Sequence, residues 1–236
     1  MERLDQKMHE RYVKALMDIS QAITSDLYIE DILKLIVMVT AKVTGVEICS
    51  LWLMDETHRP PMMRLKATQA LDPVYMKDRS LNMDEGVVGY VATTNEPLIL
   101  KELMKEPRFK EKEMAKKLGL VSMVSVPLHV KEEKVIGVLN CFTSEPHAFS
   151  ETEVNLITTV ANQAAIAIHN TRLIVRTKVI EEELEARKDI EKAKEILMTK
   201  KDLPADKAFR WLQKKSMDTR QSIRKIAEAV IISQDL

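Results

Sequence analysis

From Phe149 to about Lys200 the chain runs without a single Gly or Pro. Val154, Ile157, Val160, Ala161, Ala164, Ala165, Ile168, Leu173, Ile180, Leu184, Ile190, Ala193 and Leu197 recur along it at mostly helical spacing, which predicts one long helix or two sharing an axis. Its start is marked by a capping box. The Ser150 hydroxyl accepts an N–H of the first turn, and the Glu153 side chain returns to the cap. At 1.5 Å per residue such a helix extends on the order of 70 Å, more than one small domain can cover. It therefore has to connect two units and meet a partner helix on the way.

A chain of 236 residues has room for one or two domains with ordinary cores. Lys plus Arg equals Asp plus Glu at 36 each, so no global field recruits nucleic acid or membrane. The balance is uneven along the chain. From Arg187 onward 13 basic residues face 8 acidic ones, a net of +5 that leaves −5 for everything before it. A basic tail of this kind is expected where one module meets a polyanion. Cys49 and Cys141 lie in apolar runs with no CxxC spacing, which argues against a disulfide framework and for a reducing cytoplasm. The opening residues Met1 to Asp5 lack the apolar run of a signal peptide. Val154 to Thr171 carries Asn155, Asn162, Gln163, His169 and Asn170, which makes it a poor membrane span. A cytoplasmic protein without membrane contact is expected.

Ahead of the long helix, residues 10–44 show Ala15, Leu16, Ile19, Ile23, Ile32, Leu33, Ile36, Val39 and Val43 at amphipathic spacing. This predicts a helix broken near Ser25-Asp26, with Ser25 or Asp31 as a second cap and Gly45 at the C-terminal cap. Glu47 to Met54 and Met62 to Thr68 read as strands. Gly86 and Gly89 are read as turn glycines opening a short helix that Pro97 and its neighbours end, and Leu98 to Leu100 is again extended. The charged stretch 101–119 forms a surface loop with a helix closing at Gly119. The apolar runs Val121–Val130 and Lys134–Phe142 then make an antiparallel hairpin around Lys131-Glu132-Glu133-Lys134. Strands bracketed by helices indicate an α+β fold.

The run DEGVVGYVATTNEPLIL, the PRF at Pro107 to Phe109, LVSMVSVPL from Leu120 to Leu128, and Lys134 to Ile168 together resemble a GAF domain over roughly residues 10–172. The resemblance implies a central antiparallel sheet, with the first and last helices on one face and a small-molecule pocket on the other. It implies regulation by a ligand without naming one.

Beyond it, Leu173, Thr177, Ile180 and Leu184 follow the alternating four and three spacing of a coiled-coil seam, with charged residues outside the line. A dimer is expected through this connector; the other reading is a solvated single helix. In the final part, the turn Lys201-Asp202-Leu203-Pro204 places Pro204 at a first helical position. A helix over Ala205–Met217 follows, with Ala208, Phe209, Leu212 and Ser216 inward, and Asp218-Thr219 breaks it. Ser222 to Ile232 forms a third helix. The three make a small bundle that needs the long helix to complete its core.

IEKAKEILM, DKAFRWLQKKSM and IRKIAEAV, over about residues 187–232, resemble the ANTAR module, the RNA-binding output domain of transcription antitermination regulators. The sequence departs from that pattern at Glu195, where the family usually has Gly. The organisation expected is a sensor over 1–172, a coiled-coil connector over 173–186 and an RNA-binding domain over 187–236.

Trp211, set among Arg210, Lys214 and Lys215, has two readings: it stacks on an unpaired base while the cations hold phosphates, or it packs on a neighbouring helix. Lys194, Lys214, Lys215, Arg220, Arg224 and Lys225 either meet RNA, as the resemblance implies, or form a solvated face. Phe209, Ala208, Leu212 and Met217 are read as core. Cys49 and Cys141 are expected to be buried structural thiols rather than metal or redox groups with His129 or His147. No HExxH, GxSxG or phosphate-loop spacing occurs, so no catalytic residues, metal or cofactor are assigned. Two functions follow from the resemblances. One is a ligand-controlled, homodimeric antiterminator that holds stem-loops of a nascent transcript. The other is a GAF signalling protein or a GAF-type methionine sulfoxide reductase.

Overall fold

The computed structural model describes Met17 and residues 29–70, 79–130 and 134–233. The helical segment expected before residue 29 lies outside these residues apart from Met17, as does the hairpin turn at 131–133. The chain divides into two compact units, Met1–Arg172 and Leu173–Leu236.

In the first unit, helix α1 (Ile29–Thr44) buries Ile32, Leu33, Ile36, Val37, Val39, Thr40 and Ala41, the single stripe that its apolar spacing dictates. Asp31 falls within the first turn rather than at a cap. The Thr40 hydroxyl donates to the Ile36 carbonyl at 2.7 Å, so burying it leaves no polar group unpaired. Gly45 closes the helix by donating its N–H to the Ala41 carbonyl at 2.8 Å.

The strands are β1 (Ile48–Asp55), β2 (Met62–Thr68), β3 (Ser80–Asn82), β4 (Leu98–Leu100), β5 (Ser122–Val130) and β6 (Lys134–Thr143). They form one sheet in the order β3-β2-β1-β6-β5-β4, with every neighbouring pair antiparallel. Because both faces are covered, β1, β5 and β6 are apolar almost without alternation. Strand geometry still sorts their side chains two ways. Cys49, Leu51, Leu53, Val124, Val126, Leu128, Leu139 and Cys141 pack against α1 and the start of helix α4 (Glu151–Lys201). Trp52, Met63, Met123, Val138 and Phe142 pack on the opposite face, against helix α2 (Gly86–Thr94), helix α3 (Lys112–Leu118) and the 3-10 turn Leu103–Lys105.

Close backbone approaches fix two glycines. A Cβ at Gly137 would lie 2.3 Å from the Trp52 carbonyl oxygen across the β1–β6 pair. Gly89 stands inside α2 rather than in a turn, where a Cβ would meet the Met83 and Asn82 carbonyls at 2.7 and 2.9 Å. The sequence expectation for Gly89 is corrected accordingly: it is needed for space rather than for a bend.

Helix α4 runs 51 residues without interruption. Its capping box is formed, with Ser150 N–H donating to Glu153 at 2.7 Å and Glu153 N–H donating to the Ser150 hydroxyl at 3.3 Å. In the second unit its last part joins helix α5 (Ala205–Thr219) and helix α6 (Ile223–Ile232) around Ala193, Leu197, Ala208, Leu212, Ile226 and Ala227. Pro204 is the N-terminal cap of α5 and not its first helical residue; Pro lacks an N–H that the cap position does not use. The helix continues to Thr219 and ends on Arg220, whose φ of 53° is left-handed, so the break falls after Asp218-Thr219. Ser222 caps α6 by accepting the Lys225 N–H at 3.3 Å. Phe209 and Met217 are exposed, at 36% and 72%, and do not belong to the core. Ala208 and Leu212, both fully buried, fill the face that α5 turns inward, and one helix face has no room for the other two.

Candidate nucleic-acid interface and sensor pocket

The basic residues of the second unit separate by partner. Lys194 lies 2.8 Å from Glu191, with its side chain only 20% exposed. Arg224 is held by three carboxylates: Glu228 at 2.9 Å, Asp189 at 3.5 Å and Glu185 at 3.4 Å. The Glu228 hydrogen bond leads in raising its guanidinium above the ordinary range. Together these contacts tie α6 to the end of α4. Arg210, Lys214, Lys215, Arg220 and Lys225 are exposed, as are Lys200 and Lys207, and none has a carboxylate within ion-pair distance among the described residues.

Trp211 is half-buried against the bundle core. The Lys201 ammonium sits 4.4 Å from its ring centroid and that of Lys215 6.0 Å away, so cations cover the ring from outside. Packing and a polar outer face thus coexist at this residue. Lys201 escaped sequence reasoning because the turn at Asp202–Pro204 brings it back over a ring ten positions on. Glu195 points to solvent.

On the connector, Leu173, Thr177, Ile180 and Leu184 are all exposed, with Leu173 at 48%, Ile180 at 55% and Leu184 at 52%. Ile174, Val175 and Val179 stand off that line and are exposed as well. The apolar surface of this part of α4 is therefore wider than a heptad seam.

In the first unit the sheet face opposite α1 carries a narrow pocket, lined by residues that include Trp52, Val87, Phe109, Glu111, Met123, Asn140 and Phe142. Its free volume is ≈ 10 Å³, about enough to seat one water. Across the strands Ser50 stands opposite Asn140 and Asn140 opposite Ser125, a polar row on this otherwise apolar face. The Ser125 hydroxyl donates to Asn140 Oδ1 at 2.6 Å, whereas the Ser50 hydroxyl and Trp52 Nε1 are buried without a hydrogen-bond partner among the described residues. Glu111 is buried beside Arg79. Desolvation pushes its carboxyl above the ordinary range against the pull of that guanidinium.

The two thiols face each other across β1 and β6 at 3.6 Å, hydrogen-bonded but not joined by a disulfide and fully buried, on the face toward α1 and α4 rather than toward the pocket. Burial raises the Cys49 thiol well above its ordinary range, which disfavours the thiolate. His147 Nε2 donates to the Glu153 carboxylate at 2.9 Å, and its ring meets the Phe149 ring edge-on. Among the described residues no group of three or more His, Cys, Asp and Glu is disposed to hold a metal, and no helix is long and apolar enough to cross a membrane.

The model of the GAF domain matches residues 27–169, more than half of the chain, and the chain belongs to that family. The model of the ANTAR domain matches residues 178–231, so a GAF sensor domain is followed by an ANTAR domain, the make-up of an ANTAR-type regulator. Among curated relatives, the phosphoenolpyruvate-dependent phosphotransferase system protein of Escherichia coli (strain K12) is 27% identical over 158 residues, which are 67% of this chain and 21% of that protein. The transcriptional regulatory protein PdtaR of Mycobacterium tuberculosis (strain CDC 1551 / Oshkosh) is 38% identical over 61 residues, 26% of this chain and 30% of that protein. The chain thus spans well under two thirds of either relative. Among solved structures, the GAF domain of an Acinetobacter phosphoenolpyruvate-protein phosphotransferase superposes with a TM-score of 0.58 at 28% identity, covering 70% of this chain and 97% of that one.

Proposed function

We propose that this chain is a signal-responsive, RNA-binding regulator of transcription antitermination, acting in the cytoplasm as a homodimer. The observation that carries the proposal is the set of exposed cations in the ANTAR unit, Arg210, Lys214, Lys215, Arg220 and Lys225, which no carboxylate among the described residues neutralises. Unpaired cations grouped on one small bundle suit a phosphate backbone, and stem-loops of a nascent transcript supply one. The likeness of this unit to PdtaR, a transcriptional regulatory protein, supports the same reading. Arg224 and Lys194 serve it indirectly, since their charges are engaged within the unit.

The connector supports the dimer. Leu173, Ile180 and Leu184 are about half exposed in the single chain, and a second copy in parallel would bury them. In the sensor, the unpartnered Trp52 N–H and Ser50 hydroxyl favour a small ligand that offers hydrogen-bonding atoms, and its entry requires the narrow pocket to expand.

The test is binding of a two-stem-loop RNA at increasing salt. Affinity falls steeply, and a Lys214/Lys215/Arg220 triple alanine variant that still folds binds more weakly with a shallower salt dependence. Unaltered affinity in that variant would move the interface elsewhere. Sedimentation of the parent chain as a monomer at micromolar concentration would remove the dimer, whereas Ile180→Lys with Leu184→Lys is expected to dissociate it.

A further inference from the structure

Helix α5 exposes two large apolar side chains that its core does not use, Phe209 at 36% and Met217 at 72%. Gln213, also exposed, lies midway between them. The three are four residues apart and so share one line along the helix, drifting by only about 40° per step. Arg210 and Lys214 each follow a member of this line by one position, are exposed, and have no carboxylate within ion-pair distance among the described residues. An aromatic ring, an amide and a thioether thus run beside a row of free cations. Asp206 and Asp218 bracket the pattern near the two ends of the helix.

We propose that Phe209, Gln213 and Met217 are the base-contacting stripe of this unit, taking the unpaired nucleotides of an RNA loop while Arg210 and Lys214 hold the adjoining phosphates. The chemistry fits position by position. The Phe209 ring offers a face for stacking, the Gln213 amide offers one donor and one acceptor edge to a splayed base, and Met217 adds a soft, polarisable contact. From Phe209 to Met217 the helix rises about 12 Å, room for roughly three stacked bases at about 3.4 Å each. Trp211, for which the sequence leaves base stacking and helix packing both open, is half-buried in the core and covered by Lys201. A paired duplex, whose bases are already stacked on each other, has nothing to give such a stripe. The free cations beside it favour a polyanion over an apolar protein partner, whose docking would strand them without counter-charges.

This inference rests on the RNA-binding reading, and the experiment separates the two. The full chain is titrated with hairpins of randomised loop sequence and with the same stems closed as uninterrupted duplex. Phe209→Ala loses about tenfold or more in hairpin affinity, with duplex binding, salt dependence and melting temperature nearly unchanged, and Phe209→Tyr, which keeps the ring, restores it. Met217→Ala loses less. Arg210→Ala weakens hairpin and duplex alike and reduces the salt slope. If the parent binds hairpins but Phe209→Ala and Met217→Ala bind them equally well, the stripe is overturned while the RNA reading stands. The stripe is equally overturned if these variants change only the sedimenting mass, which would make it a protein contact. A parent that binds no hairpin at low salt overturns both.

Discussion

The two units solve the burial problem in opposite ways. The sensor hides its largest side chains, Trp52, Phe142, Met63, Met123 and Leu139 among them, on the two faces of a six-stranded sheet. The ANTAR unit sets three fully buried alanines, Ala193, Ala208 and Ala227, beside Leu197, Leu212 and Ile226 in its core, and leaves Phe209 and Met217 outside. Large buried side chains contribute stability in proportion to the area they remove from water, whereas buried alanines contribute mainly by letting helices approach closely. The sensor therefore relies more on buried volume, and the output unit more on close helix approach at its alanines. A fold that relies on close approach can leave large side chains for a surface.

The sharpest way to break this comparison is Trp52→Ala. It removes a fully buried ring and is expected to cost about 3–5 kcal/mol in the sensor's denaturant unfolding, with the unfolding of the ANTAR unit unmoved. Next is the reverse change in the other unit. Ala208→Leu, at a fully buried position, is expected to destabilise the bundle by about 1–3 kcal/mol through overpacking. A neutral or stabilising result in thermal unfolding would mean that the alanine core is loose rather than fitted. Ser150→Ala should cost about 1 kcal/mol by removing the cap of α4.

That capping loss depends on pH. Burial raises Glu153, but the N–H and O–H of Ser150 together with His147 outweigh it and hold the carboxyl below its ordinary value of 4.5. A depressed carboxylate contributes stability above its unfolded pKa and loses it as pH falls through the folded one, so the difference between parent and Ser150→Ala shrinks in acid. The smallest effect belongs to Asp55, whose carboxyl the Thr57 hydroxyl and N–H bring from 3.8 to about 2. Its contribution is present above pH 3.8 and disappears as pH falls toward 2. Asp55→Asn should flatten the acid limb of the stability profile over that window, as read by circular dichroism melts.

The local signals were legible in the sequence. The Ser150 and Glu153 spacing located the start of α4, Gly45 the end of α1, and the charged gap after Val130 the β5–β6 hairpin. Contacts between distant segments were not. Gly89 looked like a turn residue because the carbonyls that crowd it belong to Met83 and Asn82 in the preceding loop. Arg224 looked like a free cation because two of its carboxylates, Glu185 and Asp189, sit more than thirty positions earlier. Phe209 and Met217 looked like core because hydrophobicity says that a side chain prefers burial, not whether a place for it exists. The candidate RNA face was thus visible as a composition, and only the packing sorted its members. The pocket was placed by resemblance alone, since the Ser50, Asn140 and Ser125 row forms only when β1, β6 and β5 are aligned.

Both cysteines of the chain lie in the sensor, on its two central strands, at 0% exposure. A thiol-alkylating reagent therefore meets nothing to modify until α1 and the start of α4 lift off the sheet, and it is blind to any fraying of the helices in the ANTAR unit. The rate of alkylation in native buffer measures how often this helical layer opens, and when reclosing outpaces the reaction it reports the free energy of that opening. The protein carries its own chemical probe of sensor integrity, with no label added and no residue changed.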